Sequence, residues 1–195
     1  MLMKSVIVFM ALWLLGGCAT KIDYGDATAV ETTTIDFGST DLQQMASSMV
    51  DSLLSFPPMV EATRERRPVI FVEKVSNKTT EHIDTESITD TISNRLLRSG
   101  KFRFVDMGKS RVALEQMEFQ NSGLVDRSTA VKIGRQIGAE YMMYGNLAAI
   151  DKRDGDSRDL YYKFTLRLMH LESGLIEWSD EKEIRKTAEK SLFGL

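Results

Sequence analysis

Few side chains in this 195-residue chain are equipped for chemistry. There is one cysteine, Cys18, and there are two histidines, His82 and His170. His82 falls in a polar stretch and His170 at the end of an apolar one, so each reads as a surface or hydrogen-bonding residue rather than a catalyst. Asp151, Asp154, Asp156 and Asp159 crowd one segment in a way that invites calcium. Their order fails the D-x-D/N-x-D/N-G pattern of a calcium loop, and a solvated hairpin tip accounts for them better. Glu86 and Asp90 stand four apart on an expected helix, where acids near the start answer the helix dipole. No glycine-rich phosphate loop and no G-x-S-x-G elbow is present. The reading is a protein that is not an enzyme, with no cofactor and no metal.

Cys18 is the exception, because its surroundings are specific. Lys4 supplies a basic start and Val6 to Leu15 an apolar core, far shorter than the ~20 apolar residues a helix needs to cross a bilayer. The run ends in small residues, as a cleavable signal does. Two glycines leave the backbone bare before the thiol. Leu15-Gly16-Gly17-Cys18 resembles the bacterial lipobox, which implies that Cys18 is lipidated on sulfur, cut free and acylated on its new amine. The alternative is an ordinary signal with a chance cysteine. One acyl chain holds a protein to membrane only marginally, at ~0.8 kcal/mol per buried methylene, whereas several on one residue make release negligible. The next residue is Ala19, not the aspartate of an inner-membrane retention signal, which points to the outer membrane.

Past residue 17 the chain has the length of one domain plus a tether. It is 43% hydrophobic and 27% charged with net charge −3, ordinary for a globular protein and no advertisement for nucleic acid. With its only cysteine committed, the folded part has no disulfide, no thiol nucleophile and no cysteine-bound metal. Residues 18–33 are small and polar and read as a flexible tether whose fifteen residues after Cys18 reach at most about 50 Å; residues 34–195 read as the domain.

Ser39, Thr40 or Asp41 is placed to cap a helix whose stripe is Leu42, Met45, Ala46, Met49, Val50, Leu53 and Leu54, a 3.6-residue rhythm. That stripe packs on its own sheet or, alternatively, offers a face to a partner. Phe56-Pro57-Pro58 ends the helix, and Met59 to Arg67 reads as a polar link. Val69 to Val72 suits a covered strand. A polar loop, 76–82, leads to a helix capped by Asp84, carrying Ile88, Ile92 and Leu96 and closed by Ser99-Gly100. Phe102 to Val105 is a strand. Helices are expected at Val112–Phe119 and from Asp126 or Ser128 to Ile137. Tyr141 to Ile150 is a strand with a possible bulge at Gly145; Asp154-Gly155 turns it into the alternating Leu160 to Leu168, and a third strand follows at Leu175 to Trp178. The residues from Ile184 onward are charged and expected to fray. The order predicts an α/β (α+β) single domain with a mixed four- to five-stranded sheet and helices on its faces.

Three stretches are specific: residues Asn77 to Ile88, Ser99 to Asp106, and Gly134 to Leu147. They resemble the LpoB lipoproteins, and Asp36 to Leu42 and Phe56-Pro57-Pro58 fit the same family. The resemblance covers roughly Val30 to Trp178. It implies a fold similar to the amino-terminal domain of TolB and an outer-membrane lipoprotein, facing the periplasm, that activates a class A penicillin-binding protein. Its partner would be a small periplasmic docking domain of that bifunctional synthase, and its effect more glycan polymerisation and crosslinking. Enterobacterial members carry a long proline-rich tether; here no proline precedes Pro57. Either the envelope gap is narrower or the docking domain extends further.

The expected mechanism is binding without catalysis, which shifts the partner toward its active state. Candidate contacts are polar or aromatic groups on loops at one end of the sheet: Asn77, Lys78, Thr79, His82, Gln120, Asn121, Arg135 and Tyr144. Each has a competing role in local turn or cap chemistry. The rival functions are an accessory lipoprotein of a secretion or surface-fibre assembly and a cell-wall hydrolase.

Overall fold

The computed structural model describes residues 23–73, 75–105 and 138–190. Helix α1 spans Ser39–Ser55 and buries Met45, Ala46, Met49, Val50 and Leu53, the expected stripe. Its cap is not Ser39, Thr40 or Asp41 but Gly38. Gly38 has no side chain to offer, so a carboxylate from outside the helix takes the role: Ser39 N–H donates to Glu31 Oε2 at 2.8 Å. Asp41 works from inside, accepting from Gly38 N–H at 2.9 Å. A Cβ on Gly38 would lie 2.2 Å from that same Glu31 oxygen, so a side chain there would displace the Glu31 carboxylate from its capping position.

The chain does not stay irregular after Phe56. Helix α2, Pro57–Ala62, begins on two prolines, which suit a first turn because their missing N–H groups have no helical partner there. Met59 on α2 is buried. Strands β1 (Val69–Val72) and β2 (Ser76–Asn77) precede helix α3, Thr85–Arg98. Asp84 caps α3, accepting from Glu86 N–H at 3.1 Å, and Ile88, Ile92 and Leu96 are buried. Gly100 follows with φ of 74°, the left-handed turn that a side chain resists.

Strands β3 (Arg103–Phe104), β4 (Tyr141–Asp154), β5 (Ser157–His170) and β6 (Ile176–Glu189) complete one mixed sheet in the order β3-β1-β4-β5-β6. The first three run parallel and the last three antiparallel, with β2 also pairing parallel to β4. Two-residue β2 makes a sixth strand inside the stretch read as a polar loop. The expected helices at 112–119 and 126–137 lie outside the described residues.

Helices α1 and α3 cover one sheet face, where Tyr162, Phe164, Leu166 and Leu168 of β5 meet Met143 and Leu147 of β4 and Trp178 of β6. A smaller cluster on the opposite face joins Phe71, Met142, Tyr144, Met169 and Leu171. Two expectations change along these strands. Gly145 is not a bulge; it pairs in regular register with Leu166, and the irregularity sits at Leu168/Met169 against β6. Glycine is required because a Cβ there would meet Thr165 O at 2.2 Å. Nor does the chain fray between Ile184 and Glu189; residues 191–195 lie outside the described residues. The ladder continues to Glu189 opposite Ser157, held by β5 pairing, which runs from Ser157 to Met169, by Ile184 packing on the core and by Lys186, whose ammonium reaches Asp41 Oδ2 at 2.5 Å.

Candidate partner-binding site

The segment between β2 and α3 is shaped by its own side chains. Asn77 Nδ2 donates to Glu81 O at 2.9 Å, while Asn77 Oδ1 accepts from both the backbone and hydroxyl of Thr79, at 2.9 and 2.8 Å. Asn and Thr tie such turns because their short polar side chains imitate backbone groups. Lys78 N–H bonds to Leu147 O at 2.7 Å and leaves its side chain exposed. Asn77 and Thr79 therefore build the loop, while Lys78 and His82 are presented by it.

Glu81 joins this loop to the rest. Its Oε1 accepts from Tyr162 OH at 2.6 Å and its Oε2 from Phe37 N–H at 3.1 Å. Phe37 stands edge-on to the Tyr162 ring, with centroids 5.5 Å apart. Burial, and then the Glu81 carboxylate, push the Tyr162 phenol far above its ordinary range, so it remains a donor. Beside it Arg158 of β5 makes a fork with Asp151, Nε to Oδ1 and Nη2 to Oδ2, both at 3.0 Å, and reaches Asp36 at 2.7 Å with its remaining nitrogen. Two-bond geometry of this kind is the strong form of the ion pair. Arg158, then Arg153, hold the Asp151 carboxyl down at about 2.

Between these groups lies an open groove of about 790 Å³, walled by Asp36–Ser39, by Thr80–Asp84 and by Asp151, Arg153 and Arg158 of the β4–β5 arm. His82 and the outer part of Arg153, 69% exposed, face solvent at its edge. Its polar walls are held by one another, which makes it a preformed surface for recognition by charge and hydrogen bonding.

The structure brings Asn77, Lys78, Thr79 and His82 together on the β2–α3 segment, where His82 lines the groove and the other three lie outside its lining. It separates Tyr144 from them: that residue is mid-strand in β4, 8% exposed and packed in the opposite cluster, so it is not a loop residue. Gln120, Asn121, Arg135 and Cys18 lie outside the described residues. His170 is occupied locally, its ring edge-on to Tyr141 at 5.2 Å and its Nδ1 near Ser173 Oγ at 3.2 Å. Asp159 pairs with Arg185 at 3.3 Å rather than with its neighbouring aspartates. Among the described residues no group of three or more His, Cys, Asp and Glu is placed to hold a metal ion, and no helix is long and apolar enough to cross a membrane. Reading the sequence missed Asp36, Glu81 and Arg158 because they have partners distant in the chain, Glu81 reaching across 44 and 81 residues and Asp36 and Arg158 meeting across 122. Arg153, paired with Asp151 two positions away, was missed because only the fold sets that pair at the groove.

A family profile described as peptidoglycan-synthase activator LpoB matches residues 41–184. The penicillin-binding protein activator LpoB of Salmonella typhimurium is 26% identical over 119 residues, covering 60% of this chain and 52% of that protein. The Escherichia coli K12 protein of the same name is 29% identical over 116 residues, covering 57% and 49%. The chain thus spans about half the length of the curated relatives it matches. Solved LpoB C-terminal domains from Salmonella enterica and Escherichia coli superpose with TM-scores of 0.53 each at 23% and 24% identity, covering 75% and 74% of this chain and 99% and 98% of theirs, a likeness of fold. With the profile spanning α1 to β6, the chain belongs to the LpoB family of peptidoglycan-synthase activators.

Proposed function

We propose that this chain is a lipid-anchored, non-catalytic activator of a class A penicillin-binding protein, held on the outer membrane through Cys18 and facing the periplasm. The observation that carries the reading is the family match over residues 41–184. Residues 1–17 are the signal, 18–33 the tether and 34–195 the binding domain. The groove beside loop 77–84 receives the partner's docking domain, with Lys78 and His82 as contacts and Asn77 and Thr79 holding the loop in shape. Activation is a population shift: the domain raises synthesis only by as much as it binds the active state more tightly than the idle one.

The test is calorimetric titration of residues 19–195 against the purified docking domain of each class A synthase of the source bacterium. Saturable binding to one of them is expected, and absence of binding to all overturns the reading. Lys78→Glu is expected to weaken that binding at least tenfold with an unchanged Tm. Unchanged affinity removes Lys78 from the account, and unchanged affinity in His82→Glu, at the groove's lining, removes the groove. Arg135→Glu tests that residue in the same way.

A further inference from the structure

Residues Ala29–Gly38, the last five of the expected tether and the five that follow, form a strap leading into α1. Its apolar anchorage is limited to Ile35 and Phe37, both only partly buried against the core, and its other attachments are polar. The Asp36 carboxylate meets Arg158 of β5 at 2.7 Å, and the Asp36 carbonyl accepts from Lys186 Nζ of β6 at 2.8 Å. Phe37 N–H donates to Glu81, and Gly38 N–H to Asp41. Near the start, Glu31 N–H donates to Thr40 Oγ1 at 2.7 Å. These polar contacts sit at half-exposed positions, with the Asp36 side chain 51% exposed, and the two apolar side chains beside them, Ile35 and Phe37, are only partly buried. Helix α1, directly after the strap, is instead fixed by Met45, Ala46, Met49 and Leu53, each at most 1% exposed. Exposed ion pairs stabilise little individually, and segments with few buried apolar contacts open first. The strap is the weak link in series with a firm helix.

The same residues, Asp36–Ser39, are one wall of the groove. The opposite wall leans on them, since Glu81 divides its carboxylate between Phe37 N–H and Tyr162 OH. We propose that the strap is a load-sensitive wall of the partner site: pull delivered through the tether lifts Asp36–Gly38, releases Glu81 and Arg158, and opens the groove. The domain then grips its partner while the tether is slack and lets go as the tether reaches its limit. By reciprocity, a partner seated in the groove holds the strap down. This regulation rests on the groove being the partner site and on residues 18–33 leading to the membrane; the strap's mechanics need neither.

Single-molecule stretching tests it, with one handle on the thiol of unlipidated Cys18 and the other on Ser173→Cys in the exposed β5–β6 turn, so that load enters through the strap. A first low-force event lengthening the chain by up to about 35 Å, ten residues at ~3.5 Å each, is expected before the domain unfolds. Asp36→Asn and Arg158→Lys, as independent variants, are expected to lower the force of that event and leave the main unfolding force unchanged. Lys163→Gln, on the opposite sheet face, is expected to change neither. Adding the docking domain at saturating concentration is expected to raise the first force. Release of strap and α1 in one event overturns the proposal, as does a first event unmoved by a docking domain that calorimetry shows to bind. A docking domain that never binds is a failure of the proposed function and is read separately by calorimetry, while the unliganded traces still decide the strap.

Discussion

Replacing Lys186 by methionine removes the cation facing a carboxylate that is almost wholly enclosed. The Asp41 side chain is 2% exposed and that of Lys186 22%, with Oδ2 and Nζ 2.5 Å apart. Removing one member of a buried pair costs about 3–5 kcal/mol, because the other charge is left without compensation. Here the loss is smaller, since Asp41 retains Gly38 N–H and sits in the first turn of α1, where the helix dipole favours an anion by ~0.3–1 kcal/mol. We expect Lys186→Met to cost roughly 2–4 kcal/mol. For a domain of this size that is a Tm lowered by roughly 5–12 °C. Urea unfolding followed by Trp178 fluorescence, with calorimetry beside it, measures both. Lys186→Met combined with Asp41→Asn should recover most of the loss, because the orphaned charge is gone. A single variant within about 0.5 kcal/mol of the parent, the ordinary range for a surface site, refutes the argument. A double variant no better than the single refutes it too.

Gly145→Ala places a methyl against Thr165 O and should lower stability by about 1–3 kcal/mol through overpacking, read as a lower urea midpoint; an unchanged midpoint contradicts the close approach. Asp151 is held at about 2, below its ordinary 3.8. Its contribution is therefore complete above about pH 4 and lost as pH falls toward 2. Asp151→Asn should flatten stability against pH in that window, and an unaltered acid limb contradicts the Arg158 fork.

Much of this fold is legible in the residues because the signals are local. The α1 stripe, the Asp84 cap, the Asp154-Gly155 turn and the β5 alternation each depend on neighbours within a few positions. What was not legible depends on distant ones. Nothing near Gly38 announces that Glu31 will cap α1, and a charged run such as Asp180 to Lys186 looks solvated until its lysine is placed beside Asp41. Two-residue β2 is too short to leave a period. Gly145 signalled an irregularity that is a close approach of two strands. The site divides likewise: loop 77–82 stands out by its polar run, whereas the walls opposite it, Asp36 and Arg158, are 122 positions apart. Tyr144 looked like a surface aromatic and is buried, because β4 is covered on both faces where it crosses the second apolar cluster.

The most direct test adds residues 19–195 to a purified class A penicillin-binding protein with lipid-linked precursor and follows glycan chain formation. Faster polymerisation is expected, saturating with domain concentration and reduced by Lys78→Glu. An unchanged rate with every class A synthase of the source bacterium, or fragments released from purified sacculi by the domain alone, would contradict an activator that works through contact and performs no chemistry of its own.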